Sequence, residues 1–152
     1  MSEYKNFTEA IKDVKEKINI TLQNEVAEDI KELMKQHIKD DVYGVYTSSA
    51  KVPYVRRKEN GGLLDDNNFQ ITFIKDKLII KNITNGKDND EWIIPIIETG
   101  KGYTWEKSEI YQTKQARPFN ELTQEDLEGG KFLKILKKHL YMKYGIVITI
   151  PK

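Results

Sequence analysis

The chain of 152 residues contains no cysteine. That excludes disulfide staples, thiolate metal sites, iron–sulfur clusters and a cysteine nucleophile together. Histidine is almost as scarce, with two in the whole chain, and arginine supplies only three of 25 basic residues. Purely apolar runs last a few residues, so the sequence reads as carrying neither a signal peptide nor a membrane span. An excess of one charge is missing too: Lys+Arg 25 against Asp+Glu 24 leaves a net charge of +1. Global charge therefore marks neither a nucleic-acid binder nor a membrane-surface protein. What remains, 38% hydrophobic and 32% charged residues, fits one soluble, intracellular domain over residues 1–152 with room for a real core.

Periodicity organises that domain. Apolar residues at Phe7, Ile11, Val14, Ile18, Leu22, Val26, Ile30 and Leu33 recur in steps of three or four, with no Gly or Pro between them. This predicts a long amphipathic helix over 1–41, begun by an Asn6/Glu9 capping box. At 1.5 Å per residue it runs for roughly 50 Å, more than a core of this size needs. Three arrangements are open: a helix with a protruding end, a stripe completed by a neighbouring subunit, or a break near Asn19 to Asn24.

Residues 44–68 change character. Gly44-Val45-Tyr46 reads as a short strand, and the rest, with Gly61-Gly62 as hinge, as an exposed and mobile loop. A β region over 69–115 follows. Phe69 to Phe73 and Lys77 to Thr84 flank Lys75-Asp76 as an antiparallel hairpin. Trp92 to Ile97 is apolar but broken by Pro95, which suits a short helix or an edge segment better than a central strand. Over 120–150 a helix capped at Thr123, interrupted at Gly129-Gly130 and stopped by Gly145 leads to Ile146-Val147-Ile148-Thr149-Ile150, read as a last strand. The fold class is α+β: a long N-terminal helix, a small antiparallel or mixed sheet with a central hairpin, and a C-terminal helix followed by a strand.

The sequence offers little in the way of catalytic or ligand-binding chemistry. His37, trailed by Asp40 and Asp41, and His139, set among lysines, read as solvated histidines rather than ligands. No serine occupies a Gly-x-Ser-x-Gly elbow, and neither Gly pair has the context of a phosphate loop. The chain is accordingly expected to be no enzyme and to hold no metal or cofactor. Lys131, Lys134, Lys137, Lys138 and Lys143 fall in an acid-free stretch and read as a solvated helix face, with a phosphate-binding face as the alternative. Arg suits bidentate interface contacts better than Lys, so Arg56, Arg57 and Arg117 point to specific interactions.

Three segments carry a resemblance. Val52-Pro53-Tyr54-Val55-Arg56-Arg57 with Asn60-Gly61-Gly62-Leu63-Leu64-Asp65 is one; Ile96-Ile97-Glu98-Thr99-Gly100 and Ala116-Arg117-Pro118-Phe119 are the others. In order and spacing they resemble the head–tail joining, or tail-completion, minor structural proteins of long-tailed phages and tail-like particles of low-GC Gram-positive bacteria. The resemblance implies a non-enzymatic virion component, assembled in the host cytoplasm and located at the neck or upper tail. It would form a ring with itself, six-fold symmetry being common, against neck, connector and tail-tube proteins. DNA in transit is a further partner; a membrane or small-molecule substrate is not. The long helix and the extended 85–115 region depart from the simpler pattern, leaving terminator, completion protein and adaptor as open positions. Interface candidates are Tyr54, Arg56, Arg57, Gly61, Gly62, Leu63, Glu98, Arg117, Pro118 and Phe119. The alternative is a small nucleic-acid-binding module using Arg56, Arg57 and the C-terminal lysines.

Overall fold

A computed structural model describes residues 3–45, 57–85, 93–102 and 115–151. Its longest feature is a helical rod in four parts: α1 (Phe7–Thr21), a π turn (Leu22–Val26), α2 (Ala27–His37) and a second π turn (Ile38–Tyr43). Asn6 Oδ1 caps α1 by accepting the Glu9 N–H, and Glu9 returns the favour to Lys5 N. The backbone stays right-handed helical through Leu22, so the helix does not break at Asn19 to Asn24.

The π turns answer a problem set by the sequence. Leu22, Val26, Ile30, Met34, Ile38 and Val42 recur every four residues, and all six are buried. In an α-helix of 3.6 residues per turn, such a repeat drifts about 40° around the axis at each step. Each wider turn lets the stripe fall back toward the core. Met34, not Leu33, consequently takes the buried position.

The sheet is a two-stranded antiparallel ribbon, β1 (Phe69–Ile74) with β2 (Lys77–Asn82). Lys75 and Asp76 both have positive φ, 49° and 62°, the twist a two-residue hairpin turn requires. The turn is tied to α1 where Asp76 accepts from Asn19 Nδ2 at 3.0 Å and meets Lys15 Nζ at 2.9 Å.

Pro95 lies inside a short helix, α3 (Ile93–Thr99). α4 (Phe119–Asp126) leads through Leu127–Lys131 into α5 (Phe132–Tyr144), with a kink at Gly130, whose φ is 112°. Gly145, left-handed at φ 66°, ends α5.

Two apolar clusters hold these elements together. One joins Met34, Ile38 and Val42 to Leu63, Leu64, Phe69, Ile97 and Phe119. The other joins Leu22, Val26 and Ile30 to Leu136 and Leu140, with the inner face of the hairpin against them.

Three expectations are corrected. Gly44-Val45 is a turn after the rod, not a strand, because the helical stripe continues to Val42. Leu63 and Leu64 are core residues, although the segment reads as an exposed excursion. Ile146 to Ile150 joins no ladder with any described residue; Ile146 and Ile148 pack on the second cluster while Val147, Thr149 and Ile150 stay exposed.

Candidate functional site

The described parts of the three motif segments converge on the first cluster. Gly61 and Gly62 begin this arrangement. Gly61 takes φ 74°, and its N–H is held by Asp65 Oδ2 at 2.7 Å. A Cβ on Gly62 would stand 2.5 Å from both the N and the O of Lys58, so only glycine fits. The Gly62 carbonyl accepts from Asn68 Nδ2 at 2.9 Å and lies 3.3 Å from Thr84 Oγ1. Asn82 Nδ2 donates to the Leu63 carbonyl at 2.8 Å. These bonds pin the loop to the base of the hairpin and drive Leu63 and Leu64 inward. Asn82 and Thr84 are both buried; the sequence places them in the second strand but does not mark their bonds to the loop, because the partners lie 19 and 22 positions away.

Arg57 reaches across to the Asn85 carbonyl at 2.7 Å. Tyr54 and Arg56, predicted beside it, lie outside the described residues.

The other two motifs meet each other. Arg117 N donates to Ile97 O at 2.9 Å, and the Glu98 carboxylate accepts the Asn120 N–H at 2.9 Å. Pro118 stands at the N-cap of α4, where it offers no side-chain acceptor. Glu98 supplies that acceptor from a neighbouring helix, at the positive end of the α4 dipole. Burial pushes its carboxyl above the ordinary range, and the hydrogen bonds from α4 oppose this. Phe119 is fully buried against Ile97 and Leu64 within the same cluster. The buried Arg117 directs Nη1 to Val42 O, 3.4 Å away, at the carbonyl end of the rod. Leu63, Arg117 and Phe119 are thus buried within this fold, and Pro118 is half-buried at the start of α4.

Both histidines are more constrained than the sequence suggests. His37 lies 2.7 Å from Asp41 Oδ2 through Nδ1 and 3.1 Å from Asp126 Oδ2 through Nε2. His139 Nε2 is 2.8 Å from Asp29 Oδ2. The reading of these residues as freely solvated is corrected: each bridges the N-terminal rod to the C-terminal helices. Asp41 at i+4 was visible beforehand, but the long-range partners Asp126 and Asp29 were not. Burial acts to raise the Asp29 carboxyl, and hydrogen bonds from His139 and Lys138 overcome it and hold it low.

Lysines just before and along α5 are similarly engaged. Lys138 meets Asp29 at 3.3 Å, Lys143 meets Glu25 at 2.7 Å, and Lys131 pairs with Asp126. Lys134 and Lys137 alone on this helix have no carboxylate partner among the described residues. No group of three or more potential metal ligands occurs among the described residues, and none of their helices is long and apolar enough to cross a membrane.

Among the described residues, two of the open surfaces concern the site. The first turns of α1 leave Phe7 at 81% and Ile11 at 52% exposure, an apolar stripe that the fold does not cover. A half-open cleft of about 460 Å³ separates β2 from α2 and α4, lined by Ile30, Met34, Ile80, Thr123 and Leu127 among others.

Comparison with known proteins adds a family. The YomN family profile matches residues 6–142. The chain is 32% identical over 144 residues to the SPbeta prophage-derived uncharacterized protein YomN of Bacillus subtilis (strain 168), covering 86% of this chain and 91% of that protein. No solved structure matches.

Proposed function

The chain belongs to the YomN family, and from that premise we propose that it is a non-enzymatic assembly protein of a phage or phage tail-like particle. The name of the Bacillus subtilis relative, a prophage-derived protein, supports the phage origin. The resemblance to head–tail joining proteins supports a finer reading: a ring at the neck or upper tail that joins or caps the tail. Its partners are further copies of itself, six in the common arrangement, and the adjoining connector and tube proteins.

One observation carries the assembly reading. Phe7 and Ile11 project from the end of α1 as uncovered apolar side chains on a helix longer than its core. Covering them against another subunit removes that surface from water at about 25 cal/mol per Å². A Phe7→Ser/Ile11→Ser variant tests this. Particle completion by the double variant, scored by negative-stain imaging of tails, falls sharply while its thermal stability stays close to the parent's. Normal particles with normal tails would overturn the reading.

A nucleic-acid module is the second reading, favoured by Lys134, Lys137 and the exposed tip of Arg57. The ion pairs of Lys131, Lys138 and Lys143 weigh against it, since three of the five lysines between residues 131 and 143 already face carboxylates. Retention of duplex DNA that weakens steeply with salt supports it; no retention at low salt removes it.

A further inference from the structure

The molecule holds two unsatisfied halves of one sheet. β2 is paired with β1 along one edge, and its other edge has no ladder partner among the described residues. Because Lys75-Asp76 is a two-residue turn, Ile74 and Lys77 form the hydrogen-bonded pair next to it. Alternation then turns the N–H and C=O of Leu78 and Ile80 away from β1. That edge opens onto the 460 Å³ cleft, whose floor is Ile30, Met34 and Leu127.

The second half is Ile146-Val147-Ile148-Thr149-Ile150. It is β-branched at every position and uncharged, the strongest strand-forming run in the chain. Its burial alternates from Ile146 to Thr149, yet it joins no ladder with any described residue. Five extended residues reach about 17 Å, close to the span of the six-residue β2.

We propose that residues 146–150 of one copy of this chain add as a third strand to the free edge of β2 in a second copy, lying in its cleft. Ile146, Ile148 and Ile150 then face Ile30, Met34 and Leu127 of the acceptor, while Val147 and Thr149 share the outer face with Ile79. The segment leaves the second cluster of its own chain, where Ile146 and Ile148 are half-buried, for the same cluster of the acceptor; the gain over the free chain is the pairing of backbone groups along both edges and the cover of Ile150, which is 56% exposed.

The area is sufficient. A five-residue chain of about 550 Da exposes on the order of 800 Å² when extended. Covering two-thirds of it and an equal area of the acceptor buries on the order of 1,000 Å², the lower bound of a specific interface. Reciprocal exchange between two copies doubles this to about 2,000 Å², and head-to-tail exchange closes a ring with one such contact on each side of every subunit. The inference rests on the assembly reading above and names the contact between copies.

The lack of native cysteine gives a direct test. Ile79→Cys and Thr149→Cys are made in separate full-length chains, mixed at high concentration and oxidised. Strand addition yields a covalent heterodimer, because cross-strand neighbours on one face lie within disulfide reach. Gln36→Cys mixed with Thr149→Cys yields none. In parallel, Thr149→Pro, which removes one backbone donor at an exposed position, lowers the association constant at least tenfold by sedimentation, and Thr149→Val does not. Association that survives Thr149→Pro, with no Ile79–Thr149 cross-link, overturns the strand contact and leaves assembly standing. A parent chain that stays monomeric at the highest soluble concentration also overturns the strand contact. Particle completion by Phe7→Ser/Ile11→Ser then decides the assembly reading separately.

Discussion

The Glu98 carboxylate accepts the backbone N–H of Asn120 at 2.9 Å, so the first turn of α4 is capped by a residue 22 positions earlier in the chain. A cap acting from another helix fixes α3 against α4, and with them the two motif segments that contain Glu98 and Phe119. Glu98→Ala removes the acceptor and is expected to cost about 1 kcal/mol. Glu98→Gln keeps an acceptor and discards a charge that burial disfavours, so it stays near parental stability at neutral pH. The sign follows from the raised carboxyl. The stability it brings is present below the unfolded value and is lost as pH rises through the folded one, so glutamine gains relative to glutamate at higher pH. Urea midpoints at pH 4 and pH 7 check both variants.

Gly62 and Gly61 are adjacent, yet substitution should separate them. At Gly62 an added Cβ strikes the Lys58 backbone from 2.5 Å, and relief requires the loop to leave Asn68 and Thr84. A loss of about 1–3 kcal/mol is expected for Gly62→Ala, the range for forced overpacking. Gly61→Ala meets nothing within 4 Å, and its φ of 74° leaves only the left-handed penalty, about 1–2 kcal/mol. Amide exchange at Leu63 and Leu64 should rise more in the first variant than in the second. Equal exchange in both would falsify the collision argument.

Short-range chemistry made much of this legible from the sequence. The Asn6 cap, the Lys75-Asp76 turn, the Gly130 interruption and the Gly145 stop each depend on residues within four positions of one another. The last strand was misread for the complementary reason: β-branching at 146–150 states a propensity, but a ladder needs a partner that propensity does not name. Among the candidate site residues, Gly61, Gly62, Glu98, Arg117 and Phe119 do gather around one region. What could not be read was their purpose. Leu63 and Phe119 look the same in sequence whether they face a core or a neighbour, and Asn82 with Thr84 shows its role only once residues 19 and 22 positions apart are brought together.

Acid should loosen the contact between the N-terminal rod and the C-terminal helices. Asp126 is held low first by Lys131 and then by His37, and Asp29 by His139 and Lys138 against the cost of burial. Carboxyls depressed in the folded state stabilise it above their unfolded value, near 3.9, and that stability disappears as pH falls through the folded value. Urea midpoints are therefore expected to drop between about pH 5 and pH 2. Asp29→Asn should flatten part of this slope, because an amide no longer titrates while its partners on α5 remain. A slope unchanged in Asp29→Asn would remove this contact from the acid response.

The phase of the rod gives the sharpest test of how its residues are used. A plain three-and-four pattern carries the stripe through Leu33, whereas the two π turns carry it through Met34 and Ile38. Ile38 is fully buried beside Val42, Leu63 and Phe119, so truncation there leaves a cavity at the junction of every motif segment. Ile38→Ala is expected to cost about 2–5 kcal/mol, the range for large-to-alanine changes in a core. Leu33 is only half-buried and belongs to neither cluster, so Leu33→Ala should cost about 1 kcal/mol or less. The relation holds only if the wider turns reset the helix between residues 22 and 43. Reversal of the two values in denaturant titration would mean the rod continues as an ordinary α-helix, with the other face turned to the core.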